Sequence, residues 1–448
     1  MPHRYRWAFL LSISCYFYLV FKPEYILILF FTILIDYWAA IWIEKAEGTR
    51  RKALLVVSLI SNIGVLAIFK YYNFFNTNIE SFLRLFSIHD PIPFLDIVLP
   101  IGLSFHTFQA MSYTIEVYRG NQKVEKNLGI YSLYVMFYPQ LVAGPIERPQ
   151  NMLHQFYEEH FPDFERIKAG LMRMCWGFFK KVVIADRLAM VVNESYNHVS
   201  DSSGKTLLVS TFFFTFQIYC DFSGYSDIAL GAASVLGFDM MENFRSPYFS
   251  RSVSEFWSRW HISLSTWFRD YLYIPLGGNR VSLSRWYFNL LFVFIVSGFW
   301  HGANWTYIAW GLLHGLYLVI AIMKDKAFEK MNLKFTPTMW LSAVNMLFTF
   351  VLVMLTWVFF RASTITDATI IFKKIFTIQS NEIAVFALNK WEMYFSLVLI
   401  ILLLLKEKWI PVIPTRNTWF FGVLFLGLCF ITYLFGVFNF TQFIYFQF

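Results

Sequence analysis

SGFWHGANWTYIAWGLLHG, residues 297–315, holds two histidines, an asparagine and four glycines. It lies inside a run with no formal charge from Trp286 to Ile322. Polar groups at that depth are costly unless they are bonded or used. A helix starting at Trp286 runs roughly 15 residues before it meets Gly298, Trp300, His301 and Gly302. At 1.5 Å per residue it reaches only about 22 Å, short of the about 30 Å of a hydrocarbon core. Glycine on both sides of His301 invites a break, and Asn304 is placed to cap the next helix. His301 would then sit at a helix break inside a membrane, where an ionisable residue marks a functional site by default.

The rest of the chain agrees with a membrane setting. Of 448 residues, 57% are hydrophobic and 15% charged, where a soluble protein carries about 25% charged residues. Apolar runs recur at 7–21, 25–43, 53–69, 97–117, 129–143, 170–193, 205–238, 256–274, 286–300, 303–323, 338–361, 391–405 and 418–437. They are apolar all round, not alternating, which excludes a transmembrane barrel. The first run has no small-residue cleavage site, so it is read as a membrane segment and not as a signal peptide. The fold class is therefore an all-α polytopic membrane protein. Several runs are too short to span, and 205–238 is expected to be broken. Irregular backbone at membrane depth survives only when buried in protein or lining a wet cavity, so the middle third is expected to hold a cavity.

Arg4, Arg6 and the four cations of the 44–52 loop lie on one face, which the positive-inside rule makes cytoplasmic. The 118–128 loop agrees. The net charge of +8 is scattered over such loops, as suits anionic lipid and not nucleic acid. Cys15, Cys175, Cys220 and Cys429 lie in apolar runs and are read as free thiols. No His/Cys pattern of metal-ligand spacing occurs, so no metal is expected. No internal repeat or soluble insert is visible, and residues 1–448 read as one membrane domain, with a core over about 100–324 and peripheral helices at 7–69 and 338–448.

Three further stretches carry polar groups at depth. In RSVSEFWSRWHISLSTWFRDYLYIPLGGNR, 251–280, Ser252 and Glu255 read as a capping box, and Glu255–Arg259 as an i,i+4 pair. A single helix would place Trp257, His261, Leu264 and Phe268 on one face, with Trp260 beside His261 and Arg269 at its end. In FQIYCDFSGYSDIALGAASVLGF, 216–238, Asp221 and Asp227 would orient a histidine or hold a broken helix. In QLVAGPIERPQ, 140–150, Gly144-Pro145 breaks a segment ahead of Glu147-Arg148. His261 lies 40 residues before His301, enough for a helix, a turn and a helix back, so both imidazoles would face one cavity. Against these stand plain structural readings: a packed His314 and His106, structural carboxylates, an interfacial His261.

FWSRWHISLSTWFRDYLYIPLGGNR followed by SGFWHGANWTYIAWGLLHG strongly resembles the membrane-bound O-acyltransferase superfamily. Within it, the branch of the alginate O-acetyltransferase membrane subunit and of peptidoglycan and cellulose acetylation is the most similar. QIYCDFSGYSDIALG, GFDMMENFRSPY, LVAGPIERPQ, TWVFFRAST (356–364) and FIYFQF (443–448) carry the same resemblance. Relatives often have another hydrophobic segment before the one that begins here at Trp7. The resemblance implies a multi-helix body with broken and re-entrant helices around a central funnel, in the inner (plasma) membrane. It implies His301 as catalytic residue and His261 as the second active-site polar residue. Acetyl-CoA is implied as acyl donor, reaching the histidine from the cytoplasmic face, with no tightly bound cofactor. A polysaccharide acceptor and an extracytoplasmic acyltransferase partner follow.

On this reading neutral His301 takes the acceptor's proton, or carries the acyl group itself. His261, Asn304 or Trp305 would bond the developing oxyanion. Trp300 and Trp260 would line the tunnel with Asp221 and Asp227, and Arg259 and Arg269 would meet the donor's phosphates. D-alanyl transfer to teichoic acid is the alternative within this class. A flippase for lipid-linked sugar, with histidines as proton relays, is the rival class, though no matching pair of broken helices supports it. A non-catalytic scaffold is the third reading.

Overall fold

The computed structural model describes residues 2–88, 92–332, 338–438 and 443. Among these the regular structure is helical. The chain divides into two compact units, one of residues 1–167 and 232–241, the other of 168–231 and 242–448. Among the described residues, six helices are long and apolar enough to cross a membrane: Pro23–Lys45, Gly48–Arg84, Leu283–His301, Trp305–Lys330, Met339–Arg361 and Thr418–Phe435.

The first unit holds α1 (His3–Leu19), α2 (Ile26–Lys45), α3 (Gly48–Leu66), α4 (Tyr72–Arg84), α5 (Leu103–Arg119), α6 (Leu128–Met136) and the single turn α7 (Pro149–Met152). A π-helical turn, Ala67–Tyr71, joins α3 to α4, so the segment read at 53–69 is far longer than its apolar core. The run read at 129–143 is helical only as far as Met136. The chain then turns through Gly144 and delivers Glu147, which is fully buried. Its carboxylate accepts from Asn151 Nδ2 at 2.7 Å and from the Met241 amide. LVAGPIERPQ and GFDMMENFRSPY thus meet here.

The second unit holds α8 (Phe164–Phe178, from Lys168 on), α9 (Asp186–Asn197), α10 (Gly204–Val235, as far as Gly231), α11 (Val253–Arg259), α12 (Ile262–Phe268), α13 (Leu283–His301), α14 (Trp305–Lys330), α15 (Met339–Arg361), α16 (Ile365–Phe376), α17 (Lys390–Trp409) and α18 (Thr418–Phe435). The expected break in 205–238 is absent: α10 is one helix of 32 residues. It is apolar all round because it is buried, with Phe213, Phe214, Phe216 and Phe222 in the core. A helix packed on every side needs no break to hide polar backbone. The short α16 was not foreseen; its length keeps it below any spanning threshold.

α13 and α14 form an antiparallel hairpin with glycine at its seam. A Cβ on Gly298 would lie 2.2 Å from the Tyr307 carbonyl oxygen, and one on Gly311 the same distance from that of Phe294. Gly311 and Gly315 make the G-x-x-x-G spacing that lets membrane helices approach closely. Gly311→Ala is expected to destabilise the protein by about 1–3 kcal/mol, because the clash is with backbone. Gly422, with nothing within 4 Å, is the control: Gly422→Ala should be neutral. Thermal unfolding in detergent compares the two, and equal melting temperatures would refute the seam.

Candidate functional site

The first half of the site is a break. Ser252 caps α11 by accepting from the Glu255 amide at 3.1 Å, and Glu255 pairs with Arg259 at 2.6 Å. The helix stops there: Trp260 is extended and His261 has φ 42, ψ 55. The expected single helix with His261 on its face is therefore two helices hinged at His261. Asn243 clamps the hinge. Its carbonyl accepts from the Ile262 amide at 2.9 Å, and its side chain accepts from Ser263 Oγ at 2.7 Å. A left-handed histidine costs roughly 1–2 kcal/mol and persists only where its surroundings enforce it. The hinge drives His261 into the core, fully buried, its ring 4.6 Å from that of Phe222 and nearly perpendicular to it. Phe443, the described residue of FIYFQF, packs on Phe222 and Tyr225; the rest of that motif lies outside the described residues.

The second half is the tip of the α13–α14 hairpin. α13 ends at His301, Gly302 is extended, and Asn304 caps α14 by accepting from the Thr306 amide at 3.1 Å. The Asn304 amide nitrogen donates to the Ser363 carbonyl at 2.8 Å. Gly302 leaves room for Tyr307, whose ring lies 2.1 Å from where a Cβ would be. His301 is 4% exposed. Its ring is packed by Trp300 at 5.0 Å, Trp310 at 5.1 Å and Phe360 at 5.4 Å. Trp305 faces outward and is half exposed.

A ladder of indoles leads from one half to the other. Trp260, next to His261, lies 5.1 Å from Trp357; Trp357 lies 5.8 Å from Trp310, nearly parallel; Trp310 meets His301. Trp310, Trp357 and Phe360 were not singled out from the sequence. The signal was present, since Trp310 shares the uncharged run with both histidines. His314 stands on the far side of Trp310, at 5.0 Å. Trp257 Nε1 donates to its Nδ1 at 3.3 Å, so Nε2 carries the proton and donates to Thr356 Oγ1 at 3.0 Å. The packing role expected for His314 thus includes a directed hydrogen-bond chain.

Asp221 and Asp227 are occupied by the chain's own cations. Asp227 pairs with Lys180 at 2.7 Å and Arg173 at 2.9 Å. Asp221 pairs with Lys181 at 2.5 Å. Lys180 and Lys181 reach two acids six residues apart because they lie in a π-helical stretch, Phe179–Ala185, where the widened turn re-aims neighbours. Arg173 also grips Glu242 through both terminal nitrogens. This is an ion network locking α10, on which Phe222 stands between the two acids.

Arg269, on the π-turn after α12, pairs with Asp270 at 2.8 Å and is over half exposed. It lines a cavity of about 370 Å³ together with Trp257, Ser258, Ser265 and Tyr273. The cavity wall follows α13 through Leu290, Val293, Phe294 and Ser297. Ser297 is one helical turn before His301.

The α13–α14 hairpin turns at Trp-His-Gly, and a separate hinge buries a second histidine. The family model described as MBOAT, membrane-bound O-acyltransferase family, matches residues 127–365. The chain belongs to that family and is a multi-pass O-acyltransferase. It is 39% identical to the probable alginate O-acetylase AlgI of Azotobacter vinelandii, over 82% of this chain and 72% of that protein. It is 37% identical to the peptidoglycan O-acetyltransferase of Helicobacter pylori, over 79% and 71%. It is 32% identical to the teichoic acid D-alanyltransferase of Streptococcus thermophilus, over 58% of this chain and 68% of that protein.

Proposed function

We propose that this protein passes acetyl from acetyl-CoA to a hydroxyl of an exported or cell-wall polysaccharide of alginate type. It would do so in the inner (plasma) membrane, with an extracytoplasmic acyltransferase as partner. The observation that carries the reading is the cavity along α13. Arg280 lies just before α13 and Arg285 in its first turn, and Lys324, Lys326 and Lys330 lie at the end of α14. The positive-inside rule makes that end cytoplasmic. The cavity then lies on the cytoplasmic side of His301, with Arg269 at its wall for a phosphate. It suits a long, narrow acyl donor arriving from the cytoplasm. The relatives described as O-acetylating match more of this chain than the D-alanylating one, which favours acetyl.

In the reaction the acceptor oxygen attacks the thioester carbonyl, and its proton passes to His301. The C–S bond breaks, and the proton leaves on the CoA thiolate. The new ester keeps the acetyl group, so atoms and charge balance without a redox step. We assign His261 to the same site; the indole ladder that begins at its neighbour Trp260 and ends at His301 supports that reading.

The test is radiolabelled acetyl transfer in inside-out membrane vesicles, where added acetyl-CoA meets the cytoplasmic face. Label is expected on glycan or on the partner protein. Transfer from a D-alanyl donor but not from acetyl-CoA would overturn the choice of acyl group. Label from neither, with the partner present, would overturn the reading.

A further inference from the structure

Trp310 is 1% exposed and touches His301, yet its Nε1–H has no acceptor among the described residues. Buried indole N–H groups usually find one. The contrast lies next door: Trp257, 5.7 Å away, gives its N–H to His314. Lack of room to relax explains why Trp310 stays unpaired. Its ring is held by Trp357 at 5.8 Å, Phe360 at 5.2 Å and His314 at 5.0 Å, and His314 is itself fixed at both nitrogens. A donor-only group, rigid, shielded from water and beside the proposed base has the properties of an oxyanion donor.

We infer that the Trp310 Nε1–H is a catalytic hydrogen-bond donor to the acyl carbonyl oxygen. This rests on the proposed acyl transfer at His301 and names the group that stabilises its transition state. When the acceptor oxygen adds to the carbonyl carbon, the C=O π pair moves onto the oxygen, which accepts from Nε1–H. When the C–S bond breaks, the pair returns and the bond to tryptophan weakens. The proton on Nε1 is never transferred. Asn304, a donor expected from the sequence, already spends its amide on Ser363.

The test replaces residue 310 with 3-benzothienylalanine by codon reassignment. Sulfur takes the place of N–H while the bicyclic shape is kept. Acetyl transfer is expected to fall about 10²–10³-fold in kcat, with KM for acetyl-CoA unchanged. Trp310→Phe, at matched membrane level, should fall at least as far. The second readout is a dithioacetyl-CoA donor, whose C=S is a poor acceptor. It should slow the natural protein, relative to acetyl-CoA, far more than the benzothienyl variant. A benzothienyl variant as active as the natural protein would overturn the inference. So would an equal dithio penalty in both. A natural protein that transfers no acetyl would instead refute the proposed function, and this inference with it.

Discussion

Replacing His301 with alanine is expected to lower acetyl transfer about 10²–10⁴-fold at matched membrane level, the range supplied by a positioned acid–base group. His301 is the last residue of α13, held by Trp300, Trp310 and Phe360. The imidazole is therefore pre-oriented, and truncation removes both the base and its placement. Alanine also leaves a hole among three aromatic rings, so His301→Gln is the sharper variant. Glutamine fills similar space and donates hydrogen bonds but takes no proton near neutral pH. Both variants should retain the melting temperature of the natural protein within a few degrees while losing transfer. Label transferred at the natural rate by His301→Gln would move the proton elsewhere. It would also promote the reading of this chain as a scaffold for an extracytoplasmic enzyme.

Asp227→Ala is expected to be the most destabilising single change, at about 3–5 kcal/mol, the cost of leaving a buried charge without its counter-ion. The charge left behind is Lys180, whose side chain is 4% exposed and which keeps the Ser223 Oγ at 2.8 Å and the face of the Tyr219 ring, but no paired carboxylate within 4 Å among the described residues. Arg173 loses one partner but retains Glu242, so the damage centres on Lys180. Removing both charges as Lys180→Met with Asp227→Leu should recover most of the loss, since a well-packed apolar pair often matches a buried ion pair. Activity should fall in the single variant, because α10 carries Phe222 against His261. The measurement is thermal unfolding in detergent for the single and double variants. A melting temperature unchanged by Asp227→Ala would show that the pair holds nothing; a double variant no better than the single would show that packing, not charge, is responsible.

Much of the site was legible because it is local. The uncharged run from Trp286, the glycines around His301 and Asn304 ahead of a helix state where α13 ends and α14 begins within a few residues. The Ser252–Glu255 start and the Glu255–Arg259 pair were legible for the same reason. The hinge at His261 was not. Helical spacing continued through Trp260, and nothing local forbids α-helix there; Asn243, some 20 residues earlier, supplies the bonds that make the break worthwhile. α10 misled in the opposite direction. Its aspartates and glycines resemble a broken membrane helix. Their physical role depends on Lys180 and Lys181, about 40 residues upstream, and on close backbone approach, as where Gly224 meets the Gly177 carbonyl.

The sequence by itself determined that this is a helical membrane protein, that its uncharged centre must end a helix at His301, and that the chemistry is acyl transfer. Those conclusions follow from apolar length, from glycine and asparagine at one turn, and from motifs long enough to be specific. Only the tertiary structure decided where the hinge falls, which cations claim Asp221 and Asp227, and that Trp310 stands between His301 and His314 with an unspent N–H. Each of these depends on groups far apart in the chain. Their energies are set by burial, and burial is a property of the folded body, not of any one segment.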